Sequence, residues 1–254
     1  MAQTDPPSFA AVWRSRVSEQ GPKPFLTFYD AGSGERVELS YTTFDNWLSK
    51  TGNLIQDELL AEPGDRITLL ARPHWLTAVW ALAPLLTGVV LAPWGDPADA
   101  HMVVAGPESL DEARGGAGGG AAELWALSLL PLGLPFPETP EGFRDFSAEV
   151  RAHADRFSPL DPPNGQTVAL AEPDGTELTH RELVEAARET GGLVSADRLL
   201  VAVNRDRFTT AELIEWLYAP VSAGASVVLV RGADQAQLDR IAESERTTGL
   251  YLLS

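Results

Sequence analysis

The chain repeats itself. Glu38-Leu39-Ser40-Tyr41 returns as Glu177-Leu178-Thr179-His180, and at the same offset Thr51-Gly52-Asn53-Leu54 returns as Thr190-Gly191-Gly192-Leu193. Asp65-Arg66 returns as Asp197-Arg198. Trp80, Ala83, Pro84 and Gly88 then return with unchanged spacing as Trp216, Ala219, Pro220 and Gly224. A duplicated βα unit predicts an α/β fold of two pseudo-repeated units, with mostly parallel sheets flanked by helices and related by a pseudo-twofold axis.

The boundaries follow from the repeat. Residues 1–113 form the first unit, 114–162 a Gly/Pro-rich connector and 163–254 the second unit, with one sheet expected per unit and a helical layer shared between them. Ser40 and Thr179 are placed to cap the first helix of each unit, and Thr179 with Glu182 spells a capping box. Phe44, Trp47, Leu48, Leu54 and Ile55, matched by Leu183, Ala186, Ala187, Leu193 and Val194, form its core face. Arg66 to Ala71 and Arg198 to Val203 are continuous apolar runs, as central parallel strands require. Further helices are expected at Trp75 to Thr87 and, with a Thr209/Glu212 box, at Thr210 to Ala223. Another opens at Ser109, boxed by Glu112. Strands are expected at Val89 to Leu91, Val227 to Leu229, Met102 to Ala105 and Leu250 to Leu253. The glycine run within Arg114 to Ala122 predicts a flexible insertion, and Leu130 to Pro140 an extended connector. Trp80 and Trp216 are read as core, with Trp13, Trp75 and Trp94 partly exposed.

Composition narrows the chemistry. With no cysteine, the chain has no disulfide framework, thiolate nucleophile or Cys-ligated zinc, which suits a cytoplasmic protein. The start, Met1 to Pro6, lacks the basic and apolar regions of a signal peptide. A formal charge of −17 repels polyanions, so neither nucleic acid nor an anionic membrane is an expected partner. The uncharged stretch Pro73 to Gly95 is long enough to span a bilayer. Its counterpart holds Glu215, and Pro84/Pro220 with Gly88/Gly224 break both copies into a buried helix followed by a strand.

Pro24-Phe25-Leu26-Thr27, Glu38 to Tyr41, Pro63-Gly64-Asp65-Arg66-Ile67 and Leu86-Thr87-Gly88-Val89-Val90 resemble the opening of adenylate-forming enzymes. That superfamily comprises acyl-CoA synthetases, nonribosomal peptide adenylation domains and luciferases. Gly175 to Val184 is similar to the segment after that family's phosphate loop, and Asp197 to Leu200 with Ala219 to Gly224 to its next strand and helix. The likeness covers most of the chain but only the N-terminal half of a typical member, and extends to a small family of similarly short proteins from high-GC bacteria. It implies an ancestral Ser/Thr/Gly-rich loop, ending in Pro-Lys, that binds ATP phosphates through hydroxyls, N–H groups and a cation. Here that place reads Glu172-Pro173-Asp174-Gly175-Thr176: Glu172, Asp174, Gly175 and Thr176 are a degenerate remnant with two carboxylates where charge neutralisation is needed. The resemblance implies that the later adenine-and-magnesium motif, the ribose-binding aspartate and the lid with its catalytic lysine belong to the half of a typical member that the likeness does not cover. No cofactor is therefore expected, ATP with magnesium included.

One cluster departs from the family. Ligands in parallel sheets sit beyond the carboxyl ends of strands. There this chain places Arg72 and His74 after one strand, and Asn204, Arg205 and Arg207 after its counterpart. These five residues are the candidate anion or ligand pocket, against the plainer reading of solvated loop cations paired with nearby acids. No catalytic residue is assigned. His101, His153 and His180 fall in no metal-ligand spacing, so no metal site is expected, and no GxSxG context supports a hydrolytic serine. The expectation is a non-catalytic, AMP-binding-enzyme-like domain acting as a small-ligand-binding or protein-interaction module, as a homodimer or with an unknown protein partner. The alternative is a residual acyl- or nucleotide-handling enzyme completed by a partner in trans.

Overall fold

The computed structural model describes residues 7–117 and 122–253. The start at Met1 to Pro6 and most of the glycine run lie outside the described residues. In chain order, helix α1 (Phe9–Gln20) leads into a hairpin of β1 (Pro24–Asp30) and β2 (Glu35–Ser40), then α2 (Tyr41–Asn53), β3 (Arg66–Leu70), α3 (Trp75–Thr87), β4 (Val90–Pro93), β5 (Met102–Ala105) and α4 (Leu110–Gly116). β6 (Glu123–Ala126), β7 (Arg144–Asp145) and the single turn α5 (Phe146–Glu149) precede a second hairpin, β8 (Val168–Ala171) and β9 (Glu177–Thr179). The chain continues through α6 (His180–Glu189), β10 (Arg198–Val203), α7 (Thr210–Leu213), α8 (Ala219–Ala223), β11 (Ser226–Arg231), α9 (Gln235–Glu245) and β12 (Gly249–Leu253).

Two sheets result, ordered β12-β10-β11-β1-β2 and β7-β6-β5-β3-β4-β8-β9. Neither is built from one sequence unit, as the repeat alone suggests. The first hairpin joins the strands of the second unit, with Leu26↔Val227 through Asp30↔Arg231 in parallel register. The second hairpin joins those of the first unit at Leu91↔Leu170. Over five strands the two sheets share order and sense, with the hairpins exchanged. Between the units, Met102↔Glu123 to Ala105↔Ala126 adds β6 in parallel to the longer sheet.

The inner faces of both sheets close on α1, α2, α3, α6 and α8 in one continuous core containing Trp13, Phe44, Trp80, Val201, Trp216 and Leu229. A second cluster packs α4 on the outer face of the long sheet, and a third packs α9 on the outer face of the short one through Leu200, Ala202, Val228 and Leu238. Central strands covered on both faces explain the unbroken apolar runs. Every residue of α3 is buried, which is why its segment reads like a membrane span. Among the described residues no helix is long and apolar enough to cross a membrane.

Local signals act as their chemistry dictates. Ser40 accepts from the Thr43 N–H, and both Thr179/Glu182 and Thr209/Glu212 close reciprocal capping boxes. Gly88 (φ 83°) and Gly224 (φ 75°) take the left-handed conformation that ends their helices. Other readings need correction. Pro84 sits inside α3 without breaking it. α6 stops at Glu189, because Gly191 and Gly192 have φ of 79° and 59°; Val194, expected on the core face, is therefore exposed. Ser109 caps nothing through its side chain. Trp13 and Trp75 are buried outright, fixed by Asp45 and Glu35 at their indole N–H groups, which leaves Trp94 half-buried.

Candidate functional site

The carboxyl ends of the parallel strands bring the two sheets together. Arg72 follows β3. Its backbone N–H donates to Glu108 Oε1 at 2.6 Å and its Nη1 to Glu108 Oε2 at 3.4 Å. A side chain at Gly106 would collide with that folded-back carboxylate, since its Cβ would lie 2.6 Å from Glu108 Oε1. Arg207 follows β10 and reaches the other sheet, where Nη2 donates to Glu112 Oε2 at 2.6 Å and its guanidinium covers the Trp94 ring, 4.5 Å from the centroid. Phe208 meets the same indole edge-on at 6.2 Å and Trp216 at 6.2 Å.

The structure therefore gathers Arg72 and Arg207 on neighbouring carboxylates of one segment, Glu108 and Glu112. Arg205 turns away to Glu212, and Asp206 pairs with Arg231 at 2.7 Å. The Nε groups of Arg72 and Arg205 stay buried without a partner. Asn204 is exposed and gives its backbone N–H to the Leu253 carbonyl at 3.2 Å. All three candidate arginines thus hold intramolecular carboxylates.

His74 does not face this group. It is 1% exposed and caps α3, its Nδ1 accepting the Leu76 N–H at 3.1 Å. That bond leaves the ring proton on Nε2, 3.6 Å from Glu35 Oε2. The rings of Phe28 and Trp75 pack around it at 4.5 and 5.7 Å. Burial lowers the imidazole pKa, and the attraction of Glu35 offsets this only in part. Burial alone would raise the Glu35 carboxyl, but His74, the Leu132 N–H and the Trp75 indole together hold it below the ordinary range. Sealed from solvent, the pair ties a hairpin of one sheet to a helix of the other and to the connector. Glu35 is absent from the sequence reading, although a period of two puts it on the buried face with Val37 and Leu39.

The segment 172–176, expected as a phosphate-loop remnant, is a closed reverse turn between β8 and β9. Glu172 N–H donates to the Thr176 carbonyl at 2.7 Å and Gly175 N–H to the Glu172 carbonyl at 3.0 Å. Thr176 N–H donates to Asp174 Oδ1 at 2.9 Å, and hydrogen bonds from Thr176 keep the Asp174 carboxyl below its ordinary pKa. Pro173 has no N–H, and Gly175 supplies the positive φ of 89°. Among the described residues no group of three or more His, Asp or Glu side chains could hold a metal ion.

No protein-family model matches the chain. A TIGR03089 family protein of Mycobacterium tuberculosis (strain ATCC 25618 / H37Rv) is 34% identical over 239 residues, 92% of either chain. Among solved structures, an acyl-CoA synthetase of Brucella canis superposes with a TM-score of 0.79 at 18% identity, over 98% of this chain and 48% of its own. A benzoate CoA ligase from Burkholderia xenovorans LB400 gives 0.71 at 20% identity, over 96% and 50%. The N-terminal domain of FACL13 from Mycobacterium tuberculosis gives 0.71 at 14%, over 95% and 62%. The chain spans about half the length of the first two, 48% and 50%. At these identities the likeness carries the fold, which is that of the N-terminal portion of adenylate-forming enzymes.

Proposed function

The chain belongs to the TIGR03089 family, and from that premise we propose that it is a non-catalytic relative of adenylate-forming enzymes, derived from a duplicated βα unit and serving as a protein-interaction or small-ligand module. The observation that carries this reading is the turn at 172–176. Three of its five positions spend their N–H groups inside the turn and a fourth is proline. A triphosphate needs converging N–H donors and a cation. This turn offers a single uncommitted N–H beside the carboxylates of Glu172 and Asp174, so its residues do not fit ATP with magnesium.

The arginines support the same reading. Arg72, Arg205 and Arg207 would each have to leave a carboxylate before meeting an anionic substrate, and that exchange opposes binding by the strength of a charge-assisted pair. A chain without cysteine suits a reducing compartment, and the cytoplasm is part of this proposal. The test is isothermal titration with ATP and magnesium, and separately with a nonhydrolysable acyl-adenylate analogue. No saturable heat is expected with either. Micromolar binding of either would overturn the reading in favour of a residual enzyme completed in trans.

A further inference from the structure

β12 forms one border of the shorter sheet. It pairs in parallel with β10 from Leu199↔Gly249 to Val203↔Leu253, and among the described residues no strand pairs with its other edge. In the longer sheet the equivalent edge, that of β5, is covered by β6 in parallel register. Edges that must stay single are commonly guarded by charge, proline or a bulge. Gly249-Leu250-Tyr251-Leu252-Leu253 has neither charge nor proline. Leu250 and Leu252 are each 57% exposed, and their register opposite Leu200 and Ala202 sets them side by side on one face.

The two clefts that flank this strand are bordered by acids. A cleft of 430 Å³ on one side is bordered by Asp197 and Glu215, and a cleft of 290 Å³ on the other by Asp239. Neither lining contains lysine or arginine. Asp197 accepts from the Val194 N–H and the Thr248 hydroxyl, and Asp239 from the Gln235 amide. An uncharged edge, unpaired among the described residues, with two exposed leucines on one face and acidic clefts beside it, fits a strand that is apolar on one face and basic at its ends. Two copies of the chain fit it poorly, because each brings a net charge of −17 and the same acidic borders.

We propose that the outer edge of β12 is a docking site for an extended segment of another protein, alternately apolar and flanked by lysine or arginine, which adds to the sheet as a further strand. The inference rests on the interaction-module reading and gives it a partner class, while the nucleotide titration tests that reading at a different surface.

The probe is a fluorescein-labelled nonapeptide in which three valines alternate with threonines between terminal pairs of lysine, followed by fluorescence anisotropy with the full chain. A second peptide carries glutamate in place of each lysine. Saturable binding of the lysine peptide is expected, at least about tenfold tighter than the glutamate peptide and weakened by salt. Leu252→Lys should abolish it, and Glu215→Gln with Asp239→Asn should weaken it several-fold, with thermal midpoints unchanged. No saturable binding, equal binding of the two peptides, or indifference to Leu252→Lys overturns the proposal. A dimer in sedimentation that Leu252→Lys dissolves also overturns it, by giving the edge to a second copy. Peptide failure with a silent nucleotide titration removes only this docking site; nucleotide binding removes the module reading whatever the peptide does.

Discussion

The Arg207 guanidinium lies over the Trp94 indole, 4.5 Å from its centroid, so a residue that follows a strand of one sheet is stacked on a residue that follows a strand of the other. The contact lies where an α/β sheet ordinarily opens a ligand crevice. With Glu112 bound to the same guanidinium, the two halves of the molecule are joined there by their own side chains.

Because the Arg207 side chain is 62% exposed, Arg207→Ala should destabilise by no more than about 1 kcal/mol, the range of an exposed cation–π contact. Trp94→Ala also removes the packing against Phe208 and should cost about 2–3 kcal/mol. Urea denaturation of both single variants and the double variant measures their coupling. A coupling energy of zero would mean that the stack is unoccupied in solution.

His180 is fully buried, its Nδ1 accepting the Phe9 N–H at 3.2 Å, and burial pushes its pKa from 6.5 down to about 4. The fold holds the neutral ring, so the unfolded chain takes up the proton first as pH falls. The contribution is complete above about pH 6.5 and is lost progressively down to about pH 4, by about 3 kcal/mol in all. His74, lowered for the same reason, acts in the same direction. His180→Asn keeps an acceptor for Phe9 without titrating, and urea midpoints at pH 7 and pH 5 should lie closer together in that variant than in the parent. An equal spread would show that His180 is solvated.

Glu245, at the end of α9, gathers Tyr29, Arg36 and Arg198 across the outer face of the short sheet. Burial would raise its carboxyl, but these three donors hold its pKa at about 2. A depressed carboxyl stabilises the fold above its unfolded value of 4.5, and that contribution is lost as pH falls from there toward 2. Glu245→Ala strands the donors and should cost about 1–3 kcal/mol at pH 7. Glu245→Gln should flatten the acid limb of the stability curve, and denaturation at pH 7 and pH 3.5 checks both.

The Thr179 hydroxyl and the Glu182 carboxylate satisfy each other's backbone N–H groups at the start of α6. Thr179→Ala should lower stability by about 1 kcal/mol. Hydrogen exchange should quicken first at Glu182, whose N–H loses its acceptor, whereas a uniform increase along α6 would mean that the cap does not limit local opening.

Much of the local architecture was legible because it depends on neighbours a few positions away. The caps at Ser40, Thr179 and Thr209, the glycine stops at 88 and 224, and the strand Arg198–Val203 all follow from side-chain hydrogen bonding, allowed φ values and apolar runs. The candidate site was legible only as a list. Arg72 and Arg207 were visible as loop cations, while Glu112 was legible only as the boxing partner of Ser109 and Glu108 carried no local signal. Glu35 follows the period-two pattern of β2 onto its buried face, but a carboxylate there becomes legible only with its partner His74 in place.

By itself the sequence determined the capped helix starts, the glycine stops and the apolar runs that must be buried. Only the tertiary structure decided which strands share a sheet, since the pairing joins residues far apart in the chain, Leu26 with Val227 and Leu91 with Leu170. It also decided that Arg207 meets Glu112, 95 positions away. A charge selects its partner by distance in space, and that distance exists only once both sheets have closed on their common core.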